Sequence, residues 1–326
     1  MSAVTSPTQR QLTPESVTAV LRERFGRIAV HCGALSGGTF AAVWRATLDD
    51  GTEAVVKIGP PPGVPLLRYE RGVIAAEARY YRLAGAVGGV PVPPVLDADD
   101  EVVVVGLLPG RPLTEQPEDR EAQDSVRREL GAALRRLHTV TGTRFGYDGG
   151  SAAHGRAGGE TWPEAFVAMT ADLLADARDW GVALPVPEER IMAAFERHSG
   201  ALAEVREPVL VHFDLWDGNV LCDAGRLTGL VDGERYFWGD PLYDLVCTAI
   251  GRRMEDEPGH PVLLGYHGPA PHAFTAAQRA RLMMYRIQFY LLLLTEMPSR
   301  AMTGEVARER REWVTPLLLA ELRDLG

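Results

Sequence analysis

Residues 210–219 read Leu-Val-His-Phe-Asp-Leu-Trp-Asp-Gly-Asn, and this stretch decides how the chain folds. It sets His212, Asp214 and Asn219 at fixed spacings, and a further acid, Asp232, follows. Two carboxylates and a side-chain amide oxygen are the groups that orient an acceptor hydroxyl and hold a divalent cation. The spacing therefore predicts that Asp214 is a catalytic base and that Asn219 and Asp232 are metal ligands.

Short apolar runs flank these polar residues. Three of them are typical of brief buried strands bounded by turn residues, namely residues 209–211, 220–222 and 227–231. The turn at Gly225 lets the last two pair as a hairpin. A hairpin brings Asn219 and Asp232 to the same end, where one ion can bridge them. We expect His212 to pack and hydrogen-bond behind the loop as structural support.

The spacing of these four polar residues matches the catalytic loop and the later metal-binding aspartate of kinases, with Phe213 where protein kinases have arginine. It indicates a site for phosphoryl transfer. The alternative for an isolated His-x-Asp pair is a surface turn, because Asp and Asn are common turn residues. The match at four positions, with strands on the correct sides, favours the site.

Length, charge and cysteine content narrow the class of protein. A chain of 326 residues buries a large core and is long enough for two lobes. The net charge of −10 argues against nucleic acid as the main partner; it suits a cationic small molecule, or it is an ordinary aid to solubility. The chain has three cysteines in apolar surroundings, and it lacks an apolar signal segment and a long apolar stretch. These features predict a soluble, cytoplasmic protein without a membrane partner. A monomer or homodimer is expected.

The first third of the chain carries the parts of a nucleotide site. A turn of small residues allows backbone N–H groups to approach phosphates, and it comprises Ser36, Gly37, Gly38 and Thr39. Lys57 lies in an apolar strand over residues 53–58, where kinases place a phosphate-binding lysine. The partner of this lysine should come from the helical segment 70–84. We choose Glu77 in mid-helix over Glu70, whose position near the helix start suits the helix dipole.

A strand over residues 101–105 runs into a segment rich in glycine and proline, which is typical of a hinge. Backbone groups at Leu107 and Leu108 are predicted to contact the nucleotide base. The predicted boundary therefore separates a nucleotide-binding lobe, residues 1–108, from a lobe with the catalytic loop, metal site and acceptor-binding helices, residues 109–326. Further helices are predicted after Thr13 and over residues 122–140, 163–180, 275–295 and 304–323, and a loop over 258–272.

With these parts in order, the chain resembles the aminoglycoside phosphotransferase family, small-molecule kinases related to choline and fructosamine kinases. The motifs that carry the resemblance are Val56-Lys57, Glu77, Leu107-Leu108-Pro109-Gly110, Leu137-His138, Phe145-Gly146-Tyr147, His212 to Asn219, Val231-Asp232-Gly233-Glu234 and Gly239-Asp240-Pro241-Leu242-Tyr243-Asp244-Leu245. The resemblance implies an α+β, bilobal protein-kinase-like fold, with a small antiparallel sheet and one helix in the N-lobe and a mainly helical C-lobe. One departure is Phe213, where the family usually has a small residue.

The resemblance also implies the chemistry. ATP, or GTP, with Mg²⁺ would donate a γ-phosphoryl group to a hydroxyl of a small molecule, first of all an aminoglycoside or another amino-bearing antibiotic, which would confer resistance. Lys57 would hold phosphates, Asp214 would position the hydroxyl, and Asp244 would steady the loop. A metabolic kinase for an amino sugar, fructosamine or amino alcohol is the alternative, followed by a nucleotide-binding pseudokinase, which the intact Lys57, Asp214, Asn219 and Asp232 disfavour.

Acidic side chains are the candidates for binding an amino group of the acceptor. They are Asp217, Glu234, Glu255, Asp256 and Glu257. For the last three the alternative is a solvated helix end. Residues 236–238 read Tyr-Phe-Trp and form either an aromatic wall for the acceptor or part of the core.

Overall fold

The computed structural model describes residues 6–35, 38–116, 119–148 and 156–326. Five strands form its first sheet: β1 (Ala29–Ala34), β2 (Ala42–Leu48), β3 (Glu53–Ile58), β4 (Val95–Ala98) and β5 (Val102–Gly106). The sheet is antiparallel, in the order β1-β2-β3-β5-β4. Strands β3 and β5 lie where the apolar runs predicted them, and Val102 to Val105 of β5 are all buried.

Two helices cover the two faces of this sheet. Helix α1 (Pro14–Phe25) begins at the Thr13 cap, as predicted, and its buried Val17 and Leu21 pack with one set of strand residues, including Val102 and Val104. Helix α2 (Val73–Gly85) packs in the main core with the alternate set, Val103 and Val105. Successive strand side chains point to opposite faces, so the two helices lie on opposite sides. The predicted helices after Thr13 and in the segment 70–84 are both confirmed.

The remainder of the chain is mainly helical. Its elements are β6 (Arg111–Pro112), α3 (Arg120–Leu137), β7 (Phe145–Tyr147), β8 (Gly158–Gly159), α4 (Trp162–Asp179), α5 (Glu188–Arg197), α6 (Ser199–Leu202), β9 (Val209–Val211), β10 (Val220–Asp223), β11 (Arg226–Leu230), β12 (Phe237–Gly239), α7 (Leu242–Cys247), α8 (Pro261–His267), α9 (Ala276–Thr295) and α10 (Gly304–Leu325). The fold is thus α+β and of the predicted bilobal, protein-kinase-like class. The predicted boundary between residues 108 and 109 stays a prediction.

Two small sheets frame the catalytic segment. One has the order β11-β10-β6 and the other β8-β7-β12-β9. The loop that carries Asp214 leaves β9 and enters β10, so a strand of each sheet fixes one end of it. Strands β10 and β11 form the predicted antiparallel hairpin, with Val220 opposite Leu230.

Helix α8 lies where the sequence predicted a loop over residues 258–272. His260 and Pro261 start the helix, because the His260 Nδ1 accepts from the Val262 N–H at 3.3 Å and proline suits the first helical position. The helix crosses α3 at two glycines: a Cβ on Gly131 would lie 2.1 Å from the Val262 carbonyl oxygen, and one on Gly265 would lie 2.0 Å from that of Arg128. The prediction of a loop was wrong because glycine here serves close helix packing.

The longest apolar run of the sequence lies inside the protein core. It belongs to α9, whose residues from Met284 to Thr295 are all buried. Among the described helices, none is long and apolar enough to cross a bilayer.

Candidate active site

The catalytic loop is anchored by one buried carboxylate. Asp244 in α7 is fully buried, and its two oxygens accept from the backbone N–H groups of His212 at 3.0 Å and Phe213 at 2.8 Å. His138 Nε2 lies 3.0 Å from the same carboxylate. The loop backbone is thereby fixed next to Asp214, the arrangement that the family resemblance implied for Asp244.

Phe213 occupies the conformation that permits this anchoring. Its φ of 75° is in the left-handed region, which is costly for a side chain of this size. The ring turns away from the site and packs in the core against Phe237, Tyr243 and Phe289. The bulky residue that departs from the family pattern therefore does not obstruct the catalytic turn.

His212 lies behind the loop, as expected. Its ring is fully buried, its Nε2 lies 3.0 Å from the Val231 carbonyl oxygen, and its Nδ1 accepts from the Asp214 N–H at 3.3 Å. Burial lowers the pKa of His212 more than nearby carboxylates raise it. A neutral ring that donates through Nε2 and accepts through Nδ1 satisfies both contacts, so His212 positions the loop.

Asp214 presents a carboxylate that is 18% exposed. Burial raises the pKa of Asp214 to about 7, and the nearby Arg235 guanidinium acts in the opposite direction. Arg235 Nε lies 3.8 Å from Asp214 Oδ2. A carboxylate with a pKa close to neutrality can hold or release a proton at physiological pH, as a general base requires.

The hairpin brings the two predicted metal ligands together. The Asn219 side chain donates from Nδ2 to the backbone carbonyl oxygen of Asp214 at 2.7 Å. The backbone carbonyl oxygen of Asn219 accepts from the Val231 N–H at 3.1 Å. Asp232, the residue after Val231, has a left-handed backbone conformation with a φ of 61°. Its N–H donates to the Tyr81 hydroxyl at 3.0 Å. Asn219 and Asp232 thus lie at one end of the hairpin, beside Asp214.

Lys57 joins the predicted nucleotide-binding half of the site to the predicted metal-binding half. Its Nζ lies 2.5 Å from Glu77 Oε1, the partner chosen from the sequence, and 2.5 Å from Asp232 Oδ1. Burial lowers the pKa of Lys57, but Asp232 and Glu77 outweigh it and hold that pKa well above the usual range. The other candidate, Glu70, pairs instead with Arg300. Lys57 is therefore a buried cation held by two carboxylates.

Oxygen donors at this point suit a hard cation. One carboxylate oxygen from each of Glu77, Asp232 and Glu234 lies within 4.8 Å of the others, and Glu234 Oε2 is buried without a hydrogen-bond partner in the described part of the chain. Mg²⁺ takes oxygen ligands, mainly carboxylates. The residues present fit the predicted cation, with Glu234 beside Asp232 as a further donor.

The glycine turn is described only in part. Ser36 and Gly37 lie outside the described residues. The carbonyl oxygens of Gly38 and Thr39 accept from side chains of the N-terminal segment, Gln9 Nε2 at 2.6 Å and Thr8 Oγ1 at 3.1 Å. This part of the turn is tied to the segment before α1.

At the predicted hinge, Leu107 is 36% exposed and Leu108 is half-buried. The Leu107 N–H donates to the Glu53 carbonyl at 2.9 Å, so this donor extends the sheet. Contacts with a nucleotide base at Leu107 and Leu108 stay a prediction.

Of the acidic residues predicted to bind the acceptor, Glu234 lies beside Lys57, and the others form ion pairs with arginines. Glu234 lies in the site, 4.0 Å from Lys57 Nζ. Asp217 pairs with Arg127 at 2.6 Å, and the exposed Asp256 pairs with Arg279 at 2.9 Å.

Glu255 is buried, and both its oxygens are bound by Arg286, at 3.0 and 2.5 Å. The alternative of a solvated helix end does not hold for Glu255, whose charge is neutralised inside the core. Glu257 pairs with Arg252. None of the contacts recorded for these two acids in the described residues is with the catalytic loop. In the aromatic triplet, Tyr236 and Phe237 are fully buried, so the core alternative holds for both.

Two residues of the site were missed in the sequence. Arg235 is 14% exposed, pairs with Glu296 at 3.1 Å and stacks on the Tyr69 ring, with Cζ 5.7 Å from the centroid. Tyr81 donates to Glu77 Oε1 at 2.7 Å. The spacing of Tyr81 four residues after Glu77 was a usable signal, because such residues share a helix face. Nothing local marked Arg235.

Comparisons with known proteins identify the family and the fold of this chain. A sequence model described as the phosphotransferase enzyme family matches residues 31–282. No curated protein matches the chain. A crystal structure of a candidate fructosamine-3-kinase from Thermobifida fusca YX-ER1 is similar, with a TM-score of 0.69 and 24% identity over 95% of this chain and 100% of that one.

Two further solved structures show the same fold. The aminoglycoside phosphotransferase APH(4)-Ia, as a thermostable mutant with AMP-PNP and hygromycin B, has a TM-score of 0.62 and 20% identity over 94% of this chain and 98% of that one. The macrolide 2′-phosphotransferase MphH from Brachybacterium faecium has a TM-score of 0.55 and 20% identity over the same shares. With more than half of its length matched by the family model, the chain belongs to the phosphotransferase enzyme family.

Proposed function

We propose that this protein is an ATP-dependent kinase that transfers the γ-phosphoryl group to a hydroxyl of a small, amino-bearing molecule. The observation that carries the proposal is the convergence of Lys57, Asp214, Asn219 and Asp232 from distant parts of the chain. Phosphoryl transfer depends mainly on positioning and charge stabilisation, and these side chains supply both.

Each residue has one role. Lys57, oriented by Glu77, binds nucleotide phosphates, and Asn219 with Asp232 holds Mg²⁺, aided by Glu234. When bound, Mg²⁺ neutralises charge on the phosphates. Asp214 accepts a hydrogen bond from the acceptor hydroxyl and takes its proton. Arg235 opposes the rise in the pKa of Asp214 that burial causes, and so increases the ionised fraction of that carboxylate.

The acceptor is small because the chain leaves no room for a polypeptide-binding segment. Only eleven residues separate Asp232 from Asp244, whereas protein kinases place a long activation segment there. An aminoglycoside or related amino-bearing antibiotic is the first candidate, which would make the enzyme a resistance determinant. APH(4)-Ia, of the same fold, was solved with hygromycin B.

A fructosamine-type amino sugar is the second candidate, and the loop itself favours it. Trp216, two residues after Asp214, is 44% exposed and lies over Gly218, where a Cβ would be 2.3 Å from the indole ring. An exposed indole beside the base can stack on a sugar face. The Thermobifida fusca neighbour is a candidate kinase of this type.

The test is ATP consumption by the purified protein with Mg²⁺ against aminoglycosides, fructosamines, amino sugars and choline, with Asp214→Asn as the blank. We expect turnover on one class, phosphate on its hydroxyl, and a loss of about 100-fold or more in the variant, the size of a general-base contribution. AMP-PNP binding should be unchanged in Asp214→Asn. Near-normal turnover by this variant would refute the assignment.

A further inference from the structure

The segment before α1 lies across the described part of the glycine turn. We call residues 6–10 the N-terminal strap, and the described part of the turn is residues 38–41. Side chains of the strap donate hydrogen bonds to backbone carbonyl oxygens of the turn. These bonds are Gln9 Nε2 to Gly38 at 2.6 Å, Gln9 Nε2 to Ala41 at 3.3 Å and Thr8 Oγ1 to Thr39 at 3.1 Å. The strap therefore holds the backbone of the turn.

The strap is itself fixed to the lobe. Ser6 and Thr8 are polar yet buried, and their hydroxyl oxygens lie 2.8 Å apart. The Gln9 N–H donates to the Ser6 carbonyl oxygen at 3.0 Å. Arg10 donates to the carbonyl oxygen of Pro60, which follows β3, at 2.9 Å. Because these bonds give the strap one conformation, its side-chain donors approach the turn from a fixed direction.

The bonded carbonyls decide where the N–H groups of the turn point. In a planar trans peptide, the carbonyl of one residue and the N–H of the next point in opposite directions. The described residues contain no cis peptide bond. Because the carbonyls of Gly38 and Thr39 face the strap, the N–H groups of Thr39 and Phe40 face away from it. Neither N–H donates a hydrogen bond to any residue that the structure describes.

Two successive N–H groups on one side of a turn form a donor pair that suits a phosphate oxygen. The opposite orientation of the same peptides would present carbonyl oxygens there, and the negative end of a carbonyl dipole repels a phosphate. A turn without outside contacts can exchange these orientations by rotation of a peptide plane. The bonds from Thr8 and Gln9 oppose this rotation, because it would break them.

The turn lies close to the predicted phosphate-binding lysine. Strand β2 begins at Ala42, directly after the turn, and Val43 lies opposite Lys57 in the register of β2 and β3. The Phe40 ring is held by a different contact, with Arg300 Cζ 5.1 Å from its centroid. The ring thus fixes the place of the turn, and the strap fixes the orientation of its peptide groups.

We propose that Thr8 and Gln9 are positioning residues for nucleotide binding: by holding the carbonyls of the turn, they keep the N–H groups of Thr39 and Phe40 directed at the nucleotide phosphates. The strap acts on the phosphates of the nucleotide and not on its base. The inference rests on the proposed function, since phosphates lie at the turn only if Lys57 binds them.

The test compares two probes by titration calorimetry on the full chain with Mg²⁺: AMP-PNP, which carries phosphates, and adenosine, which lacks them. Gln9→Ala removes two of the bonds to the turn, and Thr8→Val removes the third while keeping the shape of the side chain. We expect each variant to weaken AMP-PNP about threefold to tenfold, the effect of one or two hydrogen bonds, and to leave adenosine within about twofold of the parent.

Two threonine variants serve as controls. Thr8→Ser keeps the hydroxyl and should retain the parent affinity for AMP-PNP. Thr18→Val is the matched control, because the Thr18 hydroxyl also donates to a backbone carbonyl oxygen, that of Pro14 at 2.9 Å, but within α1. It should leave both affinities unchanged. Gln9 is only half-buried, so Gln9→Ala still tests the proposal if Thr8→Val does not fold.

The role of the strap is refuted if AMP-PNP binds Gln9→Ala and Thr8→Val as tightly as the parent. Equal losses for AMP-PNP and adenosine would also refute it, because they would show a general effect on the lobe. Lys57→Met separates the two proposals. AMP-PNP binding that is lost in Lys57→Met and unchanged in the strap variants would leave the kinase standing and remove the strap. A parent protein that binds no AMP-PNP would overturn the proposed function together with this inference.

Discussion

Arg235 is the neighbouring side chain that favours the ionised form of Asp214, whereas burial opposes it. Burial moves the pKa of Asp214 to about 7, and Arg235 opposes that rise. If Asp214 acts as the ionised base, kcat/KM for the acceptor rises with pH through about 7 in the parent enzyme. Arg235 is a positioning residue, because its recorded contacts are with protein groups, Asp214, Glu296 and Tyr69.

Arg235→Gln should raise the pKa of Asp214 further and move the rising limb of the pH profile to higher pH. Activity at pH 7 falls because less of the base is ionised, and it recovers on raising the pH. The measurement is kcat/KM against pH for both proteins. Arg310→Gln is the matched control, since it also removes a contact with Glu296, at 3.1 Å, without touching Asp214. An unshifted profile in Arg235→Gln would contradict this role.

Phe213 combines an unfavourable backbone conformation with a favourable side-chain position. Phe213→Gly relieves the left-handed strain, worth about 1–2 kcal/mol, but it deletes a buried ring, which costs about 3–5 kcal/mol in comparable truncations. The net expectation is a loss of about 1–4 kcal/mol, measured by urea unfolding. A more stable variant would show that strain outweighs packing.

At the level of single residues, the sequence predicted the contacts that belong to a recognisable motif. The Lys57 to Glu77 contact was predicted because a strand lysine and a mid-helix glutamate have few other partners to choose from. Arg235 could not be assigned, because its contacts to Tyr69 and Glu296 join segments far apart in the chain. Only the fold brings them together.

Among the elements, the crossing of α3 and α8 depends on glycine. Gly131 has no space for a Cβ, which would lie 2.1 Å from a backbone oxygen. Gly131→Ala should destabilise the protein by about 1–3 kcal/mol, because the helices must separate. Gly200→Ala in α6 is the control, since its Cβ meets nothing within 4 Å and alanine favours helix by about 1 kcal/mol. Thermal unfolding of both variants measures the difference. Equal melting temperatures would contradict the crossing.

Long apolar elements were predicted well, and elements made by packing were not. Helices α9 and α10 match the predicted 275–295 and 304–323 closely, because their apolar residues continue over several turns. Helix α8 has seven residues and owes its position to Gly131 and Gly265. Composition alone indicated a loop there.

Across the whole molecule, a buried ion pair ties the first part of the chain to the last. Glu70 before α2 pairs with Arg300 after α9, and both side chains are 1% exposed. Glu70→Gln should cost about 3–5 kcal/mol, because it leaves a buried guanidinium uncompensated. Arg24→Gln breaks only half-exposed pairs with Asp99 and Glu101 and should cost about 1 kcal/mol or less. Urea midpoints compare the two. Similar losses would contradict the assignment.

The architecture was predictable from the sequence, because its motifs are spread over nearly the whole chain. The acceptor site was not predictable in this way. The predicted acidic candidates include Glu255, which the core neutralises through Arg286. Tyr69 and Asp172, which line one small cavity beside Phe213, stand about a hundred residues apart in sequence. Their proximity is a product of tertiary packing, which one sequence does not reveal.

In the β10–β11 hairpin, the positions of Asn219 and Asp232 do not depend on the length of the turn. Asn219 and Asp232 sit at its base, while Ala224 and Gly225 form the turn at its far end. The buried pair of Val220 and Leu230 holds the register at the base, so extra residues at the turn should change the count between the two predicted ligands without moving either. A peptide tag or a fluorescent reporter inserted at this turn should therefore leave the site intact, so that the active protein can be followed by fluorescence.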